Sequence, residues 1–210
     1  MKLRPSAFNK FLRHIGQNMQ WRKAFLCPCR NPHSDAPNPA CGICMGKGTY
    51  WGKPVDGVAG LSGMQVQKQW FSFGMAELGD VVVTIPSDTP MYDIGQFDRV
   101  VMSDSTQPFS LTLIRGGPEE FIPFTPVSVD YVAWVDSDGN LKQGMKPAVI
   151  ENGIPRWLES GPEEGAVYTI AGRRHQEYFV YQDYPQERAH HHGEPLPRKV
   201  ILRKFDLYGR

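Results

Sequence analysis

Asp80-Val-Val-Val-Thr-Ile85 is almost continuously apolar and rich in β-branched residues, and Pro86-Ser-Asp-Thr-Pro90 ends it with a turn. A short run of this kind bounded by turn signals predicts a strand buried on both faces. Outward from it the same texture recurs. Gln65-Val-Gln-Lys-Gln-Trp-Phe-Ser-Phe73 reads as a strand before it; Asp98–Met102, Phe109–Ile114, an alternating Val127–Val135, Gly165–Ile170, Glu177–Tyr181 and Lys199–Arg203 read as strands after it. With 21 glycines and 18 prolines dividing 210 residues into short segments, the pattern predicts a mainly β protein, a β-barrel or sandwich. No run of about 18 apolar residues is present, which excludes a membrane-spanning helix.

The N-terminus is different. Phe8, Phe11, Leu12, Ile15 and Met19 recur at three- and four-residue steps behind Ser6 as N-cap, predicting an amphipathic helix with Lys10, Arg13 and His14 off the apolar stripe. Residues 1–34 carry seven Lys/Arg and no Asp/Glu, residues 35–172 eight against seventeen, and residues 173–210 eight against five. A basic arm on an acidic body is expected to dock onto an acidic surface or a nucleic-acid backbone, the alternative being a merely solvated cationic helix. The apolar stripe is expected to pack on its own domain or on a neighbouring subunit. Phe8, Phe11, Leu12 and Ile15 would supply the buried contact, and Lys10, Arg13, Arg22 and Lys23 the attraction.

All four cysteines fall within 18 residues, as Cys27-Pro-Cys29, eleven residues, then Cys41-Gly-Ile-Cys44-Met-Gly-Lys-Gly48. Two close pairs across such a loop can surround one ion tetrahedrally, which makes structural zinc on Cys27, Cys29, Cys41 and Cys44 the expected cofactor. Disulfides and reduced, unligated thiols are the alternatives; nothing at the N-terminus has the pattern of a signal peptide, which argues against an oxidising compartment. The loop between the pairs holds three prolines and little apolar surface, so it needs a staple. Cys41-x-x-Cys44-x-Gly46-x-Gly48 resembles half of the zinc-binding repeat of Hsp40-type chaperones, with both glycines expected at positive φ, whereas Cys27-x-Cys29 is one residue shorter than that pattern. Four protein ligands leave no open coordination position, so the metal is expected to be structural. His33 is expected to be exposed rather than to replace a thiol.

The expected organisation is therefore a helical docking arm over 1–24, a four-cysteine zinc-knuckle over 25–52, and a β-rich body over 53–210 with room for an inserted hairpin subdomain around 118–165. Asp136-Ser-Asp-Gly-Asn140 resembles the opening of a calcium loop but lacks its glutamate, Pro147 standing in the twelfth position, and reads as a hairpin turn. His190-His-His192 reads as an exposed loop, and Glu119-Glu120 and Glu163-Glu164 as exposed turns. Phosphate-binding loops, zinc-protease helices, nucleophile elbows and dinucleotide fingerprints are all missing from the sequence.

Leu78-Gly-Asp-Val-Val-Val-Thr-Ile-Pro86 followed by Met91-Tyr-Asp-Ile-Gly-Gln-Phe-Asp-Arg-Val100 resembles the β-barrel segment of tailed-phage neck and baseplate-type proteins. Asp183-Tyr-Pro-Gln-Glu-Arg-Ala189, Leu196–Val200 and Arg203–Asp206 are similar in style to phage structural proteins. The resemblance covers roughly residues 65–206 and excludes the cysteine cluster. It implies a non-enzymatic virion subunit assembled in the host cytoplasm, forming a homo-oligomeric ring between portal and tail as a head-closure, adaptor or collar protein, or a baseplate component. Packaged DNA would then be only passing cargo, repelled by the acidic body. Two other readings stand beside it. One is a zinc-stabilised nucleic-acid module using Arg22, Lys23, Arg30, Lys47 and Lys53 with Trp21, Tyr50 and Trp51 as stacking platforms; the other is a hydrolase.

Overall fold

A computed structural model of the chain describes residues 4–62, 68, 72, 74, 77, 79–144, 146–147, 149–151, 153–157, 161–183 and 190–205. Helix α1 (Pro5–Ile15) is followed by β1 (Gln17–Arg22), β2 (Ala24–Leu26), β3 (Thr49–Trp51), β4 (Val55–Leu61) and β5 (Val81–Ile85). Then come β6 (Arg99–Ile114), β7 (Pro126–Val135), β8 (Leu141–Gln143), β9 (Val149–Glu151) and β10 (Ile154–Arg156). The long β11 (Val167–Asp183), the short β12 (His190–His191) and β13 (Glu194–Pro195), and β14 (Arg198–Lys204) complete the order. The expected strand at Gln65–Phe73 lies outside the described residues apart from Lys68 and Ser72, both of which are helical.

Two compact units result: residues 1–104 with 177–210, and residues 105–176. The first is a closed six-stranded barrel in the order β14-β5-β4-β1-β6-β11, shut by pairing of β14 with β11. Its core takes Met19 and Trp21 from β1, Val83 and Ile85 from β5, Val100 and Met102 from β6, and Val200 and Leu202 from β14. Val83, Ile85 and Val100 are fully buried, as the apolar run around Asp80–Ile85 requires. The sequence expectation of a mainly β protein with a barrel and one short N-terminal helix holds.

The helix itself differs from expectation at both ends. Pro5 opens it with Arg4 at the cap position and no side-chain cap, so Ser6 lies inside the helix rather than before it. Gly16 leaves it in extended backbone, φ −73° and ψ 164°, and Gln17-Asn-Met-Gln-Trp-Arg22 then alternates polar and apolar with period two. Met19 therefore belongs to a barrel strand, antiparallel to β4 and β6, and not to the helical stripe. Nor is α1 a detached arm. Leu12 packs against β4 at 4% exposure, Asn9 and Ser87 exchange two hydrogen bonds of 2.9 and 3.1 Å, and Arg13 pairs with Asp88.

The second unit is built from the distal parts of β6 and β11 with β7 and β8, in the order β6-β11-β7-β8, together with the β9–β10 hairpin. Leu113, Ile122, Val132, Tyr168 and Ile170 form its core. The two segments read as separate strands on either side of Ser103–Pro108 are one strand, and so are the two on either side of Ala171–Gln176. Asp136–Asn140 is the hairpin turn the sequence predicts: the Asp136 carboxylate accepts from the backbone N–H groups of Asp138 and Asn140 and pairs with Lys142. Glu120 is not the exposed turn residue expected. It accepts from Tyr168 Oη at 2.7 Å, Trp157 Nε1 at 3.3 Å and the Gly116 N–H at 2.8 Å. His190 and His192 are exposed as the sequence predicts, but His190 and His191 pair with Pro195 and Glu194 in a short ladder.

The register of β11 on β7 slips between Ala171 and Gly172, where Asp130 is skipped. A Cβ at Gly172 would sit 2.0 Å from the Ser128 carbonyl oxygen, a backbone atom that cannot give way. Gly172→Ala is therefore expected to destabilise the second unit by about 2–3 kcal/mol. Thermal unfolding followed through Trp134 and Trp157 fluorescence checks this, and an unchanged midpoint would show that the bulge absorbs a methyl group.

Candidate metal centre

The β2–β3 ladder, with Ala24 opposite Trp51 and Leu26 opposite Thr49, brings the two ends of the cysteine loop together. Directly beyond it the Cys27 N–H donates to the Gly48 carbonyl at 2.9 Å. Cys27-Pro-Cys29 turns tightly, the Arg30 N–H returning to the Cys27 carbonyl at 3.1 Å. The Asn31 side chain accepts from the backbone of His33 and Ser34, and Arg30 pairs with Asp35 at 2.9 Å, so the proline-rich loop is folded by polar contacts in place of an apolar core.

The second pair closes a knuckle. Met45 N–H donates to the Cys41 carbonyl at 2.8 Å, Lys47 N–H to the Cys44 carbonyl at 3.0 Å, and Gly48 N–H to Cys44 Sγ at 3.3 Å. Such a fold-back needs left-handed backbone, supplied by Gly46 (φ 78°) and Gly48 (φ 72°) as the sequence predicts, and also by Met45 (φ 52°).

These turns bring all four sulfurs within 4.8 Å of one another, with Cys27–Cys41 at 3.7 Å and Cys29–Cys44 at 3.5 Å. A thiolate-bound ion with metal–sulfur distances of about 2.3 Å holds its sulfurs about 3.8 Å apart, so the cluster has the size of one tetrahedral site. A disulfide would need about 2.0 Å, and all four thiols are free. Cys27 and Cys44 are buried, and Cys29 and Cys41 lie half-buried at the loop surface. The cluster is compatible with a bound metal such as zinc. His33 is exposed, as expected, and is not part of the cluster.

Backbone donors distinguish the thiols. The N–H groups of Cys44 and then Ile43 draw the Cys41 thiol down to about 6. At Cys29 the backbone of Asn38 acts in the same direction, but burial and the three neighbouring sulfurs outweigh it and push that thiol up to about 12. In metal-free protein at pH 7–8, Cys41 is therefore expected to be a thiolate and Cys29 a thiol. Iodoacetamide with peptide mapping should label Cys41 well before Cys29, and equal labelling rates would contradict this ordering.

The knuckle is tied to the barrel by Asp98, which sequence reasoning missed because the two partners that make the tie, Trp21 and Ala24, lie 77 and 74 residues away. Its buried carboxylate accepts from Trp21 Nε1 at 2.8 Å and from the N–H groups of Ala24 and Gly95 at 2.7 and 2.8 Å. Lys23, expected to be a docking cation, instead donates to the Asp93 carbonyl and lies 3.9 Å from Asp98. Arg22 stands in β1 opposite Arg99. Among the expected docking residues Leu12 is buried, whereas Phe8, Phe11 and Ile15 are 46%, 53% and 53% exposed beside an exposed Lys10.

Two of the aromatics expected as stacking platforms are engaged within the protein. Trp21 is buried, and Trp51 lies 4.0 Å from the Arg99 guanidinium, which Phe205 approaches at 3.5 Å from its own ring. Tyr50 stacks on Phe25 at 5.5 Å. No protein-family model matches this chain, and no curated protein is similar to it.

Proposed function

We propose that this protein is a non-enzymatic structural subunit of a tailed-phage particle, forming a homo-oligomeric ring that joins the portal end of the head to the tail. The single observation that supports the reading most is the pairing of a rigid closed barrel with large apolar side chains left on the surface. Phe8, Phe11 and Ile15 on α1, and Val127, Val135, Leu141 and Val167 in the second unit, are all 46–64% exposed. A monomer would keep this surface in water, whereas a subunit buries it against neighbours. In this reading zinc occupies the four-cysteine site as a structural ion, stiffening a loop that has almost no core of its own. The partners are further copies of the chain and the portal or tail proteins on either side, and the protein resides in the virion after assembly in the host cytoplasm.

The internal engagement of Trp21 and Trp51 weighs against the nucleic-acid module. Mass spectrometry of purified particles should find the chain in several copies each, and interrupting its gene should yield filled heads and tails that fail to join. Absence from particles, or normal infectious particles without it, would overturn the proposal.

A further inference from the structure

Two apolar surfaces of this chain are complementary in width and charge. The first is the outer stripe of α1. Asn9 and Leu12 turn inward, while Phe8, Phe11 and Ile15, spaced i, i+3, i+7, share a flank that stays about half exposed. The stripe rises about 10 Å along the helix axis. Around it stand Arg4, Lys10 and His14, with Arg13 already paired to Asp88, and the helix itself contains no acidic residue.

The second surface is the open face of the sheet in the second unit. Val135 is paired with Leu141, and Tyr168 with Trp134, so Val167 comes beside Val135. The Arg115 N–H donating to the Ala166 carbonyl, and the Gly165 N–H to the Arg115 carbonyl, bring Ile114 beside Val167. Their chain neighbours Leu113, Tyr168 and Trp134 serve the core, which turns these four side chains to the opposite face. Ile114, Val167, Val135 and Leu141 thus form a transverse apolar row across all four strands, 50%, 56%, 57% and 64% exposed. The row spans three strand spacings, about 14 Å. The turns at its end carry Asp138, Glu163 and Glu164, with Asp136 and Lys142 paired to each other, and the further nearby cation Arg115 is held at the Pro162 carbonyl, so the acidic charge predominates.

From this match of a basic-rimmed apolar helix with an acid-rimmed apolar row we infer that α1 of one copy docks on the row Ile114–Val167–Val135–Leu141 of the next. The occupant is a second copy because both halves of the contact lie on every chain. The two patches differ, so the interface is heterologous and propagates head to tail, closing into a ring when the rotation permits. The contact gives the proposed ring its subunit interface and rests on that reading for its closure, although the pairwise contact is testable on pure protein.

The test uses full-length, zinc-loaded protein in analytical ultracentrifugation over a concentration series. Phe11→Asp and, separately, Val135→Lys with Leu141→Lys should each weaken self-association about 100-fold or more while leaving the unfolding midpoint unchanged, because every altered side chain is exposed. A mixture of the two variants should form a 1:1 dimer and nothing larger, since one intact helix and one intact row remain between them. Wild-type protein that stays monomeric at millimolar concentration, variants that assemble like wild type, or a mixture that stays monomeric would each overturn the contact. Absence of the chain from particles is a separate result, which sinks the ring reading and leaves the pairwise contact to the mixing experiment.

Discussion

Asp80→Ala is expected to destabilise the barrel by about 3 kcal/mol, the cost of removing the buried counter-ion of Arg203 and leaving it only the Glu77 carboxylate, 3.5 Å away and 57% exposed. Asp80 stands just before β5, and its carboxylate receives Arg203 Nε at 3.1 Å and Arg203 Nη2 at 2.9 Å from β14. Both side chains are almost completely buried, at 0% and 6% exposure. The guanidinium also lies 3.5 Å from the Tyr181 ring on β11, so one arginine joins β14 to both neighbours at the seam that closes the barrel. Replacing the pair together, with Asp80→Leu and Arg203→Met, should cost much less than Asp80→Ala alone, because no uncompensated charge remains. Urea denaturation of the three proteins decides it. A loss below about 1 kcal/mol for Asp80→Ala would mean that water or the Glu77 carboxylate compensates the guanidinium in its place.

The second large effect concerns the cysteine loop. About one zinc per chain should be measured by elemental analysis, and Cys41→Ser with Cys44→Ser should abolish it. Binding by four thiolates supplies on the order of 10 kcal/mol to the folding of such a loop. Little else is available there: Phe25, Leu26, Ile43 and Met45 are 45–71% exposed, and β2 and β3 pair over three residues only. Hydrogen exchange should accelerate across residues 25–52 in the double variant. The barrel should keep its protection, because Trp21, Val100 and Ile85 pack without the loop. A native protein free of metal and carrying two disulfides would contradict the assignment.

Much of the fold was legible from local pattern alone. The β-branched run at Val81–Ile85, the hairpin turn at Asp136–Asn140 and the positive φ of Gly46 and Gly48 each follow from chemistry within a few residues. What could not be read is set by contacts distant in sequence. Met19 extends the helical spacing of Phe8, Phe11 and Ile15, and only its pairing with Gly57 and Met102 makes it a strand residue. Ser103–Pro108 carries the composition of a turn, yet it stays extended as part of a sixteen-residue strand. Leu12 and Phe11 are equivalent in a periodicity argument, and the position of β4 decides which is buried. The four thiols needed no such help, because their spacing already restricts where the sulfurs can meet. Asp80 and Asp98 are unremarkable in the sequence, since the partners that make them important come from Arg203 and Trp21.

The late position of β14 in the strand order also shapes how the protein is made. As the polypeptide emerges from the ribosome, the cysteine loop and residues 105–176 can complete themselves from contiguous segments. The barrel cannot, because Val83 must wait for Val200 and Phe179 for Arg203. Until then Val81–Ile85 offers an uncharged, β-branched edge, the kind of segment that nascent chains on neighbouring ribosomes pair with when it is left open. Yield in a heterologous host should accordingly depend on translation rate and chaperone supply more than on the stability of the finished barrel, with aggregates seeded through this one strand.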